Sequence, residues 1–195
     1  MKRAFIIHGW GGNPKEAWFP WLKKELEKRG FKAVVPQMPD AEHPKIKTWT
    51  NYLKKIVGKP DEQTYFVGHS IGCQAILRYL EKLPKQSKIG GVVLVAGFIK
   101  LNVAEIEREE PGSYKIAKPW IESPIRFPKI RRHAKKFISI FSDNDPYVSD
   151  LINRKAFKSK LNARIIMEKK KGHMGGDSGI KKLKSVLDSV IKISQ

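Results

Sequence analysis

Three short stretches carry side chains whose types and order suit nucleophilic acyl transfer. Gly68-His69-Ser70-Ile71-Gly72 is a G-x-S-x-G pattern, Ser142-Asp143-Asn144-Asp145-Pro146 offers two carboxylates, and Gly172-His173-Met174-Gly175-Gly176 offers an imidazole among glycines. A serine hydroxyl is a weak nucleophile near neutral pH, so it needs a base within hydrogen-bond reach and a third group to orient that base. Ser70 is the candidate nucleophile and His173 the candidate base. Two residues compete for the acid. A carboxylate directly before a Pro-x-Val step is held by a rigid turn, which favours Asp145, whereas Asp143 is better placed to bond the loop. A fourth stretch, His8-Gly9-Trp10-Gly11-Gly12-Asn13-Pro14, is glycine-rich. It lacks the lysine and hydroxyl of a P-loop and a full G-x-G-x-x-G, and Val35-Pro36 stands where an acid would close the second strand of a dinucleotide fold. Its fitting role is half of an oxyanion hole, with the backbone N–H of Trp10, or else of Gly11, converging with that of Ile71.

These residues make a site only if the chain brings them to one edge of a sheet. Strand candidates run over Arg3 to Ile7, Lys32 to Val35, Thr64 to Val67, Gly91 to Ala96, Lys136 to Phe141 and Arg164 to Met167. Helical spacing of apolar residues fills the intervals over Glu16 to Arg29, Lys47 to Val57, Ile71 to Leu83, Asp150 to Leu161 and Gly179 to Ile193. Strand and helix alternate along the whole chain, which predicts a single α/β domain with one parallel sheet. Ser70 then sits on a sharp strand-to-helix turn, where the flanking glycines admit close approach and the helix N-terminus favours a developing oxyanion. Asp145 follows the fifth strand and His173 the sixth, the order Ser, Asp, His that a nucleophile elbow requires. Residues 101–125 interrupt the alternation with Pro111, Pro119 and Pro124 and read as an insertion partly covering the active site. Trp10, Tyr114, Trp120 and Tyr147 are expected at its mouth. His43, in a proline-rich loop, is a candidate for that mouth, but a surface histidine is the better reading. Of the other histidines, His8 shapes the turn after the first strand, His69 points away from Ser70 toward packing or a loop bond, and His133 reads as solvated among Arg131, Arg132 and Lys135.

The chain has 195 residues and a formal net charge of +20. That excess invites a nucleic-acid reading, but it is diffuse. Residues 1–100 carry 18 basic and 8 acidic side chains, residues 101–125 carry 3 and 5, and residues 126–195 carry 18 and 6. Lysine outnumbers arginine 30 to 9, whereas base and phosphate forks favour arginine. A solvated surface is the better reading and a nucleic-acid partner is not favoured. Lys169, Lys170 and Lys171, just before His173, would favour anionic acyl substrates. The longest apolar run, Gly90 to Ile99, is far short of the ~20 residues of a membrane span, and no signal peptide is evident. The single cysteine, Cys73, cannot form an internal disulfide and reads as packing beneath the elbow, which makes the cytoplasm the default compartment.

With these motifs in place, the chain resembles the small serine hydrolases of the retinoblastoma-binding protein 9 / YdeN-like family in the α/β-hydrolase superfamily. The resemblance runs nearly the whole length. It is carried by the His8-Gly9 loop with Asn13-Pro14, Trp18-Phe19-Pro20-Trp21-Leu22, Pro36 with Met38-Pro39, Trp49, Val67 to Cys73, Ser142 to Val148, and Gly172-His173. It implies a compact six-stranded parallel sheet of order 2-1-3-4-5-6 without a large cap domain. It also implies a triad of Ser70, Asp145 and His173, which strengthens the choice of Asp145. Two positions depart from the family pattern: Ser149 replaces a usual proline, and Met174 stands where an aromatic often follows the histidine and so bears on pocket lining. The retinoblastoma-binding L-x-C-x-E motif of the mammalian relative has no counterpart here. The expected activity is cleavage of small or medium acyl esters, and secondarily amides, through an acyl-enzyme. The expected partner is a small acyl substrate, with no metal or organic cofactor. A non-catalytic interaction protein on the same scaffold, using its basic surface against a polyanion, is the alternative.

Overall fold

Side chains alternate between two apolar faces along the central strands, and that period of two determines where every helix must lie. Six strands, β1 (Arg3–Ile7), β2 (Lys32–Val34), β3 (Thr64–His69), β4 (Gly91–Val95), β5 (Phe137–Ser142) and β6 (Arg164–Glu168), form the sheet in a computed structural model that describes residues 1–148 and 150–195. All five pairings are parallel and the order is β2-β1-β3-β4-β5-β6. Phe5, Phe66, Val92, Leu94 and Phe141 face one core. Their neighbours Ala4, Ile6, Val67, Val93 and Ile140 face the other. Strands buried on both faces need helices on both, and parallel strands need crossovers to supply them.

The first core is closed by α2 (Ile46–Val57), α3 (Ile71–Glu81), α6 (Phe127–Arg131) and α7 (Asp150–Leu161), through Trp49, Ile76, Ile130 and Phe157 among others. The second is closed by α1 (Phe19–Glu27) and α8 (Lys184–Ile193), through Leu22, Leu26, Val186 and Val190. Ser149, one of the two departures from the family pattern, lies outside the described residues. Among the described residues no helix is long and apolar enough to cross a membrane.

Two local expectations, the start of the last helix and the exposure of His133, give way to the tertiary structure, and the segment 101–125 has internal order that its prolines did not signal. The final helix begins at Lys184 rather than near Gly179. A 3-10 turn occupies Gly176–Ser178, and Gly179 ends it at φ 67°, a left-handed conformation that stops helix propagation. Residues 101–125 contain two helices, α4 (Val103–Glu109) and α5 (Ser113–Glu122), the second carrying Pro119 in its interior. Arg78 on α3 reaches across to them, donating from Nη2 to the carbonyls of Trp120 (2.9 Å) and Ser123 (2.8 Å). His133, expected in solvent, is buried instead. Its Nδ1 lies 2.8 Å from the Ser87 carbonyl, to which it donates, and that bond draws it inward from its basic neighbours.

Phe66 tests how far the central strand carries the fold. It is fully buried, with ring centroids 5.7 Å from Phe5 and 5.6 Å from Tyr79. Phe66→Ala is expected to lower unfolding free energy by about 3–5 kcal/mol, read as a reduced urea midpoint with little change in slope.

Candidate active site

Ser70 occupies the one step between β3 and α3, at φ 51° and ψ −120°. Its amide donates to the Val95 carbonyl (2.9 Å) and its carbonyl accepts from Cys73 (3.0 Å), so neighbouring elements hold both ends of the residue. The glycines on either side are required by space. A Cβ on Gly72 would stand 2.5 Å from the Ile7 carbonyl oxygen and 2.6 Å from that of His8, and one on Gly68 would stand 2.8 Å from the Cys73 backbone. Cys73 is buried beneath the elbow, burial pushes its thiol well up, and its Sγ lies 3.4 Å from the Val95 carbonyl. It packs there, as its sequence context suggests.

The candidate base and acid come from loops far along the chain. His173 Nε2 lies 2.8 Å from Ser70 Oγ, and its Nδ1 lies 2.8 Å from Asp145 Oδ2. Asp145 is almost fully enclosed, and its Oδ1 accepts from the amides of Tyr147 (3.0 Å) and Val148 (3.1 Å). These two bonds turn the other carboxylate oxygen toward the imidazole. Asp143 does something else: its Oδ1 accepts from the Lys170 amide at 2.7 Å. Ser142 Oγ accepts from Lys171 (2.9 Å) and Asn144 Oδ1 from Gly172 (2.8 Å). Three consecutive side chains, from the last residue of β5 onward, thus grip three consecutive amides before His173.

Two further bonds hold that loop from the opposite core. Trp18 Nε1 donates to the Met174 carbonyl (2.9 Å), and His69 Nε2 donates to the His173 carbonyl (2.8 Å). His69 is buried, and burial, reinforced by a charged His173, lowers its pKa to about 3, so it stands neutral with the proton on Nε2. His8 is likewise buried with its pKa lowered by burial. Its Nε2 accepts from the Met38 amide (3.0 Å), leaving Nδ1 to donate to the Gly9 carbonyl (2.8 Å).

A cavity of about 510 Å³ opens over Ser70 and His173. Its wall includes Trp10 and Tyr147, which were expected at its mouth, and Ile71, whose amide was expected at the oxyanion hole. The Tyr147 ring meets His173 edge-on at 5.1 Å, and its hydroxyl bonds Glu109. Gly11 donates its amide to Ala41 (2.9 Å), so of the two loop amides considered from sequence only that of Trp10 remains for an oxyanion. Three other expectations, for Trp120, Met174 and Tyr114, are corrected, and His43 takes the surface place that was the better reading of it. Trp120 is buried in the core, edge-on to Trp49 and donating from Nε1 to the Pro44 carbonyl (2.9 Å). Met174 is fully buried in the second core, because the Trp18 bond fixes its backbone and turns the side chain inward. Tyr114 is exposed on α5 and donates to Glu122 (3.2 Å), and exposed His43 pairs with Asp40 (3.4 Å); neither belongs to the cavity wall. Lys169, Lys170 and Lys171 are also exposed and off the wall. Sequence reasoning missed Glu16, Glu42, Glu109 and Glu110, which do line it, because nothing in their local spacing marks them. Among the described residues no group of three or more His, Cys, Asp or Glu side chains is placed to hold a metal ion.

The buried histidines have a consequence for stability. Free histidine titrates near 6.5, so below that pH the unfolded chain takes up protons that buried His69 and His8 refuse. Stability is fully present above pH 6.5 and falls as pH drops, by up to about 1.4 kcal/mol per pH unit for each histidine, with His69 contributing down to about pH 3. Urea titrations between pH 6.5 and 4.5 should show this slope, and His69→Gln should flatten it.

The comparisons with known proteins agree along most of the chain. A serine hydrolase family model matches residues 4–192. YdeN of Bacillus subtilis (strain 168), named as a hydrolase, is 32% identical over 189 residues, covering 96% of this chain and 93% of its own. The crystal structure of the ydeN gene product aligns with a TM-score of 0.88 at 30% identity, covering 99% of this chain and 98% of that one. Serine hydrolase RBBP9 of Rattus norvegicus is 27% identical over 167 residues, 80% of this chain and 83% of its own. With its sheet order, its serine elbow and these relatives, the chain belongs to the serine hydrolase family, among the YdeN-like and RBBP9 members of the α/β-hydrolase superfamily.

Proposed function

We propose that the protein is a carboxylesterase-like serine hydrolase working through an acyl-enzyme, with Ser70 as nucleophile, His173 as base and Asp145 as the acid that orients it. The observation that carries this reading is the unbroken chain Asp145 Oδ2, His173 Nδ1, His173 Nε2, Ser70 Oγ, with both contacts at 2.8 Å and the serine end open to the cavity. His173 donates from Nδ1 to Asp145, which leaves the Nε2 lone pair facing the serine hydroxyl. As Oγ attacks the ester carbonyl, the proton passes to Nε2 and the new oxyanion accepts from the Trp10 and Ile71 amides. The tetrahedral adduct then expels the alcohol, which takes the proton from Nε2. Water attacks the acyl-serine with the same assistance and releases the acid.

Several features support small or medium acyl groups as substrates, esters before amides. The cavity volume of about 510 Å³ suits a compact ligand, and Phe98, Leu101 and Ile106 give it an apolar wall. A cytoplasmic setting fits the one buried, unreactive thiol. The alternative of a polyanion-binding scaffold has less behind it, because a serine held in a strained turn and bonded to a gripped histidine serves no binding role on a basic surface.

Fluorophosphonate labelling and aryl-ester hydrolysis test the assignment. Wild type should label and turn over, Ser70→Ala should do neither, and Asp145→Asn should lose about 10³–10⁴ in kcat while Asp143→Asn loses much less. A larger loss at Asp143 would reassign the acid. A steep salt-dependent affinity for nucleic acid, with no labelling, would favour the binding scaffold. The backbone strain at Ser70 offers a second check. Ser70→Gly should raise the unfolding free energy by about 0.5–2 kcal/mol, since relief of strain outweighs the added freedom of the unfolded chain, whereas equally inactive Ser70→Ala keeps the strain.

A further inference from the structure

The chain carries 39 lysines and arginines against 19 aspartates and glutamates, yet among the described residues none of those lysines or arginines lines the cavity on Ser70. Its carboxylates are Glu16, Glu42, Glu109 and Glu110. They arrive from three separate segments: one ahead of α1, one between β2 and α2, and one at the end of α4. Each of the first three lies against another residue of the cavity wall. A Cβ on Gly11, next to Trp10, would meet the Glu42 carboxylate at 3.4 Å, and Cβ atoms on Gly12 and Gly176 would meet that of Glu16 at 2.7 and 3.2 Å. Glu109 accepts from the Tyr147 hydroxyl, and the Tyr147 ring packs on His173.

The cavity therefore presents two kinds of surface to one ligand. Phe98, Leu101 and Ile106 offer an apolar wall, while carboxylates and the aromatic rings of Trp10 and Tyr147 bound the rest. Carboxylates with aromatic rings are the chemistry that receives an ammonium or guanidinium, and a neutral or anionic ester gains nothing from them. A cavity lined by carboxylates and by no lysine or arginine among the described residues is opposite in sign to the net charge of +20. The three exposed lysines before His173 stand outside it, so the selectivity runs opposite to the anionic preference expected from sequence.

We propose that the substrate is an acyl ester bearing a cationic group, which sits among Glu16, Glu42, Glu109 and Glu110 while its apolar part packs on Phe98, Leu101 and Ile106 and its carbonyl meets Ser70. This rests on the hydrolase reading above and deepens it.

The test uses para-nitrophenyl esters of matched shape whose acyl chains end in trimethylammonium, tert-butyl or carboxylate. At about 0.01 M salt, where the Debye length is roughly 30 Å, kcat/KM for the cationic ester should exceed that of the neutral one by about tenfold, and the carboxylate ester should be slowest. At about 1 M salt, with a screening length near 3 Å, the cationic-to-neutral ratio should approach one. The double variants Glu16→Gln/Glu42→Gln and Glu109→Gln/Glu110→Gln should each lower that ratio at low salt. A choline ester and its uncharged dimethylbutyl analogue place the charge on the alcohol instead, and a preference there equally supports the cation while assigning it to the leaving group. If all esters turn over and neither pair shows a cationic preference at low salt, the cation proposal is overturned and the hydrolase reading stands. If no ester turns over and Ser70 resists fluorophosphonate, the hydrolase reading itself fails, and this one with it.

Discussion

The backbone of Ser70 is the constraint on which the rest of the structure depends. At φ 51° the residue lies where an L-side chain is strained, at a cost of order 1–3 kcal/mol, and it is held there by the Val95 carbonyl and the Cys73 amide at its two ends. The passage is narrow: α3 crosses β1 so closely that Gly72 has no room for a Cβ beneath the Ile7 and His8 carbonyls. The same closeness points the Ser70 hydroxyl out of the sheet edge and leaves the Ile71 amide at the start of a helix with no carbonyl to satisfy it. Strain, exposure and an available donor share one geometric origin.

An elbow would do nothing without a histidine held at the right distance. The loop bearing His173 has little regular structure and is rich in glycine, yet it is fastened from both sides. Ser142, Asp143 and Asn144 grip its entry through three amides. Trp18 and His69 take the carbonyls of Met174 and His173 from the other side of the sheet. Each of these is a side chain bonded to loop backbone, so a loop with no ladder of its own gains a defined path. The burial of His69 belongs to this arrangement. A charged ring there would repel a charged His173, whose ring centroid lies 4.9 Å away.

Charge follows a different logic from geometry. The excess of lysine is spread along the chain rather than gathered in one block. The carboxylates that matter locally come from three distant segments and meet only where those segments converge over Ser70. Net charge describes the outside of this molecule and misstates the sign of its cavity.

Much of the fold was legible because it rests on short-range rules. The alternation of apolar strands with helical spacing placed β1 and α7 at their observed bounds and the other strands within a residue or two, and the chain order of Ser70, Asp145 and His173 followed from where strands three, five and six end. The choice of Asp145 over Asp143 drew on a local turn that the Tyr147 and Val148 amides bear out. What could not be read were contacts between segments remote in sequence. Trp120 and Met174 look like pocket residues by type, yet Pro44 and Trp18, 76 and 156 residues away, draw them into the two cores. His133 sits among cations in sequence and is buried against Ser87 in space. Local pattern determined the strands, the elbow and the candidate nucleophile, base and acid. Tertiary structure alone decided which side chains line the cavity and what charge they bring, because a cavity wall is assembled from whichever distant segments packing brings together, and no local period encodes that meeting.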